Sequence, residues 1–81
     1  MDLKEIIELM QSDDYKDRFK AEYYQLKDRL KKLTALTVKY EAGTLDFEPA
    51  VSLGVLMNQK NIMEQYVRIL EVRAEIEKIE L

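Results

Sequence analysis

The side chains able to do chemistry in this 81-residue sequence are tyrosines, lysines, arginines, carboxylates and carboxamides; it contains no histidine and no cysteine. Their absence removes the imidazole general base, the thiolate nucleophile and the imidazole or thiolate metal site. Carboxylates and lysines remain, yet no pair of acids, and no nucleophile beside a base, falls on a loop in the manner of a catalytic cleft. The expectation is a protein that is not an enzyme, holds no metal and needs no cofactor, and whose chemistry is recognition.

Three constellations could carry that recognition. Between Lys16 and Lys39, eight basic residues stand against three acidic ones, a surplus of five in a chain whose net charge is −3. Lys16, Arg18, Lys20 and Lys27 are interleaved there with Tyr15, Phe19, Tyr23 and Tyr24. Cations among aromatic faces suit a ligand with phosphates to pair and bases to stack. The same run also reads as a solvated helix face with its aromatics in the core.

The second constellation is a column of polar or polar-tipped residues, Ser52, Gln59, Tyr66 and Arg73, recurring every seventh position within an otherwise apolar helix face. One such residue commonly fixes helix register. A whole column ending in Arg73 exceeds that need, because a guanidinium on an apolar face requires a carboxylate, a phosphate or water. Glu77, four residues on, is the protein partner the spacing offers, and a ligand phosphate is the other. The third constellation is the carboxamide group of Asn58, Gln59, Asn61 and Gln65, whose paired donors and acceptors match base edges or an inter-subunit network.

The elements that must position these residues are few and long, since the chain has only two glycines and one proline. Residues 1–11 carry Leu3, Ile6, Ile7 and Met10 at helical spacing, with Asp2 and Glu5 resembling a capping box. A helix this short needs something to dock on, and the reading is a flap closing the open end of a hairpin. Residues 13–42 form a first long helix, with Phe19, Leu26, Leu33 and Tyr40 in one column and Tyr23, Leu30 and Thr37 in the other. Gly43 is placed to end it, residues 43–48 form a loop, and residues 49–80 form a second long helix, with Asp46 or Glu48 as cap and Pro49 in the first turn. Columns Val55-Ile62-Ile69-Ile76, Leu56-Met63-Leu70-Glu77 and Leu53-Lys60-Val67-Ala74 make that helix apolar over more surface than one neighbour covers. The excess predicts a second copy of the chain as partner. No apolar run spans a bilayer and Met1-Asp-Leu-Lys lacks a signal-peptide pattern, so a cytoplasmic location without membrane contact is expected. The acidic balance and lack of a reading motif argue against duplex nucleic acid.

The order of motifs resembles a known group. Asp14-Tyr-Lys-Asp-Arg18, Glu22-Tyr-Tyr-Gln-Leu26, Arg29-Leu-Lys-Lys-Leu33, Tyr40-Glu-Ala-Gly-Thr-Leu-Asp-Phe47 and Met63-Glu-Gln-Tyr-Val-Arg-Ile-Leu70 followed by Arg73 look like small helical-hairpin proteins of crAss-like and other gut phages and prophages. At the level of architecture the chain is also similar to phage anti-defence sponges, which trap cyclic-nucleotide immune signals at subunit interfaces. That resemblance implies a counter-defence protein acting in an infected bacterial cell.

The fold class expected is therefore all-α: a short N-terminal helix and a long antiparallel helical hairpin in a homo-oligomeric bundle. The function expected is sequestration of a signal of the cyclic-nucleotide or cyclic ADP-ribose class between subunits. Lys16, Arg18, Lys20, Lys27 and Arg73 would meet phosphates, Tyr15, Tyr23, Tyr24 or Tyr66 would stack, and Asn58, Gln59 or Gln65 would bind base edges. The alternative is a helical interaction module that inhibits a host defence protein or serves phage assembly, with no small ligand. A purely structural oligomer would instead leave Gln59, Tyr66, Arg73 and Glu77 satisfying one another.

Overall fold

Side-chain oxygens set where the helices begin. The computed structural model describes residues 1–81, which form α1 (Leu3–Met10), α2 (Tyr15–Ala42) and α3 (Leu53–Glu77) and no strand. Asp2 accepts from the Glu5 N–H at 2.8 Å and Asp14 from the Lys16 N–H at 2.9 Å. Each satisfies a donor that the helix itself leaves unpaired. The Ser12 hydroxyl braces the α1–α2 turn, accepting from the Asp14 N–H and donating to Asp17.

The start of α3 differs from the expected one. Pro49 lies outside the helix, and neither Asp46 nor Glu48 caps it; Ser52 does, accepting from the Val55 N–H at 3.3 Å. Proline pushes the residue before it out of the helical region, and Ser52 is the residue whose oxygen reaches an open helix N–H. The connection therefore runs over residues 43–52.

Glycine ends α2 as its position predicts. Gly43 adopts φ 73°, and its N–H points back to the carbonyls of Lys39 and Tyr40. The end of α3 is less ordinary, because Lys78 takes the left-handed conformation at φ 58°. That costs an L-residue about 1 kcal/mol. It turns the chain so that the Ile79 N–H bonds the Ala74 carbonyl at 2.8 Å and the Ile79 side chain is buried.

Ile79 joins Phe19, Tyr23, Leu70 and Ala74 in the main core, with Leu26 packed against it. This core sits at the open end of the antiparallel α2–α3 hairpin. Towards the connecting loop the seam continues through Leu30, Leu33, Leu56 and Met63, but these are only half-buried. Thr37, whose hydroxyl bonds the Thr34 carbonyl at 2.9 Å, is the buried residue of that half.

The first helix packs on α2 alone, so α2 is the middle layer and α1 does not close the hairpin end. The reason lies at Ala21, which faces roughly 180° away from the Phe19–Tyr23 side at 3.6 residues per turn. It is nevertheless buried, as is Ile6 of α1. A residue without bulk on the outer face of α2 gives α1 a seat there. No helix is long and apolar enough to cross a membrane.

Candidate functional site

Helical geometry separates the candidate residues before any contact is considered. Residues seven apart share a column, while residues two apart fall on opposite flanks. Tyr15, Glu22 and Arg29 form a column along one flank of α2, and Gln59, Tyr66 and Arg73 form its counterpart on α3, with Ser52 of the same sequence column serving as the cap. Because the helices are antiparallel, the columns meet as rungs: Tyr15 with Arg73, Glu22 with Tyr66, Arg29 with Gln59.

The first two rungs close on themselves. The Arg73 guanidinium donates through Nη2 to the Tyr15 oxygen at 2.8 Å and through Nε to Glu77 Oε2 at 3.3 Å. Tyr15 in turn donates to Glu77 Oε1 at 3.0 Å. The same guanidinium lies 5.0 Å from the centre of the Phe19 ring. Arg73 thus finds Glu77, the partner its spacing offers, together with a phenol and an aromatic face. On the next rung the Tyr66 hydroxyl donates to Glu22. That bond, followed by desolvation, raises the Tyr66 pKa.

The third rung stays open. Arg29 has no carboxylate within ion-pair reach, and neither Arg29 nor Gln59 has a side-chain hydrogen-bond partner. Two adjoining clefts, of about 200 and 350 Å³, share Arg29 and Leu26 there. The smaller reaches Glu22, Gln25 and Tyr66, and the larger reaches Lys32, Leu33, Gln59 and Met63. Both are open to solvent within the single chain. An aromatic ring, two carboxamides and the Arg29 guanidinium lie around leucine and methionine side chains, with Glu22 at one side and Lys32 paired to Asp28 at 3.0 Å at the other; such groups can stack a base, bind its edge and pair a phosphate.

The opposite flank collects the rest of the basic–aromatic run. Tyr23 is buried and donates to Glu71 at 2.8 Å. Burial first, then the Glu71 bond and charge, pushes its pKa up to about 12. Tyr24 meets Tyr23 edge-on at 5.2 Å, and Lys27 Nζ lies 5.9 Å from the Tyr23 ring centre. Lys16 and Lys20 border a cleft of about 560 Å³ with Lys78, Glu75 and Glu80. Arg18 instead donates to the Ser12 carbonyl at 2.9 Å and braces the turn.

Asn58 and Gln65 belong to neither flank. They lie on the outer face of α3, exposed among Val55, Ile62, Ile69 and Val72. Within one chain the candidates therefore form three groups, with Arg18 apart at the α1–α2 turn: Tyr15, Gln59, Tyr66 and Arg73 on the first flank; Lys16, Lys20, Tyr23, Tyr24 and Lys27 on the second; Asn58 and Gln65 outside. Beside the candidates, the clefts bring in Arg29 and Lys32, which the sequence marks only as members of the basic run, and Gln25, which it does not mark. The seven-residue step Tyr15-Glu22-Arg29, which mirrors Arg73-Tyr66-Gln59, was the signal that could have found the first of them.

Comparison with known proteins adds one match: the family model Sequestin covers residues 13–76. No curated protein and no solved structure matches the chain.

Proposed function

We propose that this chain, which belongs to the Sequestin family, holds a small nucleotide-type molecule at a contact between its copies and does not turn it over. The family's description points to sequestration. The observation that carries the reading is the open Arg29–Gln59 rung, with its two clefts, beside rungs whose polar groups are already spent on one another.

In this reading Arg29 and Lys32 take a phosphate, the face of Tyr66 takes a base, and Gln59 and Gln25 bind the base edge. Lys16, Lys20 and Lys27 act from the other flank through their field, raising the local concentration of an anion. The ligand class is a cyclic nucleotide or cyclic ADP-ribose signal, and the biological role is phage counter-defence in the cytoplasm of an infected bacterium. A partner that only binds has no need of a general base, which suits a chain without histidine or cysteine.

Calorimetry against a panel of cyclic dinucleotides and cyclic ADP-ribose isomers tests this. One member should bind the wild type, and Arg29→Ala should weaken that binding while keeping the wild-type melting temperature. No heat with any member of the panel would sink the reading. The rival is a helical interaction module for a protein target, and it draws on the exposed apolar face of α3.

A further inference from the structure

The face of α3 turned away from α2 repeats with the period of a coiled-coil seam. Val55, Ile62, Ile69 and Ile76 occupy one column, and Asn58, Gln65 and Val72 the column three residues on. Relative exposures of 57% for Ile62, 58% for Ile69 and 75% for Ile76 leave this seam without a partner inside the chain. It lies nearly opposite the seam that packs on α2, so one helix carries two packing faces. The chain buries only 9 of its 81 residues, and small domains without disulfide or metal staples commonly complete their core by association.

We infer that a second copy of the chain docks antiparallel along this seam, on a two-fold axis passing between Met63 and Glu64, and that it completes the open rung. Placed so, the seam faces itself across the axis from Val55 to Val72, as an isologous interface requires. Val55 meets the partner's Val72, Ile62 meets the partner's Gln65, and Ile69 meets the partner's Asn58. The two central Gln65 amides come within one helical turn of each other and can hydrogen-bond across the axis.

Charge selects the orientation. A parallel pair sets Arg68 against the partner's Arg73, whereas the antiparallel pair sets Arg68 against the partner's Asn61 and brings no like charges together. On the edge shared with the clefts, the same register puts Gln59 beside the partner's Tyr66. Each open rung thereby gains an aromatic face from the other subunit. Asn58 and Gln65, on this arrangement, are interface residues and do not touch ligand. The role of the partner's Tyr66 in binding rests on the function proposed above; the pairing itself does not.

Sedimentation equilibrium of the full chain is the first test. The wild type should weigh a multiple of two chains of 9.6 kDa. Ile62→Glu should raise its dissociation constant by about 100-fold or more, with helix content unchanged by circular dichroism. A wild-type monomer, or an assembly that Ile62→Glu leaves intact, would overturn the pairing. Because the chain has no native cysteine, Val55→Cys mixed with Val72→Cys should give a disulfide joining the two variants under mild oxidation. Disulfides formed by each variant with itself would overturn the antiparallel register. A dimer that binds no nucleotide would sink the proposed function and leave this interface standing, and a nucleotide-binding monomer would do the reverse.

Discussion

At the open end of the hairpin, Tyr15, Arg73 and Glu77 satisfy one another beside Phe19, and Leu70 below them is fully buried. At the loop end, Arg29 and Gln59 face each other without a partner, above Leu33 and Met63 that are only half-buried. Both halves use the same two columns, so local geometry does not distinguish them. What differs is the residue paired on each rung. A phenol opposite a guanidinium or a carboxylate closes a rung, while a carboxamide opposite a guanidinium leaves donors to spare. The tight half supplies stability and the loose half leaves Arg29 and Gln59 unpaired, a contrast in local stability within one hairpin.

The largest expected effect tests that division directly. Leu70→Ala in the tight half should cost about 2–5 kcal/mol in urea unfolding, a large part of what so small a domain has. Met63→Ala in the loose half should cost about 1 kcal/mol, because its side chain is already partly wet. Equal losses would erase the contrast.

Arg29→Ala comes next. It should reduce nucleotide affinity by about 10-fold to 100-fold, the scale of a charge-assisted hydrogen bond, and shift stability by less than about 0.5 kcal/mol. Removal of Arg73 should do the opposite, lowering the melting temperature more than the affinity.

The alkaline limit sharpens the comparison from the tight half. The Tyr23 pKa is raised to about 12 from the ordinary phenol value of 10.0, so between those values the folded chain keeps a proton that the unfolded chain has lost. Stability is then intact below the unfolded value and falls as pH climbs towards the folded one. Melts across that window should show the fall, and Tyr23→Phe should flatten it. The smallest effect is Tyr66→Phe, which removes an exposed bond to Glu22 and should cost at most about 0.5 kcal/mol.

Much of this was legible in the sequence, for reasons that can be named. The Phe19–Leu26 and Tyr23 columns announce the seam because burial follows helical period. Gly43 announces its own left-handed turn. Arg73 and Glu77 lie one turn apart on one helix, so their pairing needs no knowledge of the rest of the fold. Arg29 opposite Gln59 was hidden, because cross-helix register depends on how much chain the connection consumes. The cap moved from the Asp46–Glu48 region to Ser52, and that changes the connection's length. The seat of α1 was hidden as well, since an alanine at position 21 looks like any helix former until its burial is seen.

Each helix touches only its neighbour in the chain: α1 meets α2, α2 meets α3, and no contact joins α1 to α3. Such a fold closes no long loop beyond the 43–52 connection, so folding is expected on the microsecond-to-millisecond scale of helical proteins. It also permits partial opening in steps. The α1 amides, held through one side of α2, should exchange with deuterium before the hairpin's do, and those of the Phe19–Leu70 region should exchange last.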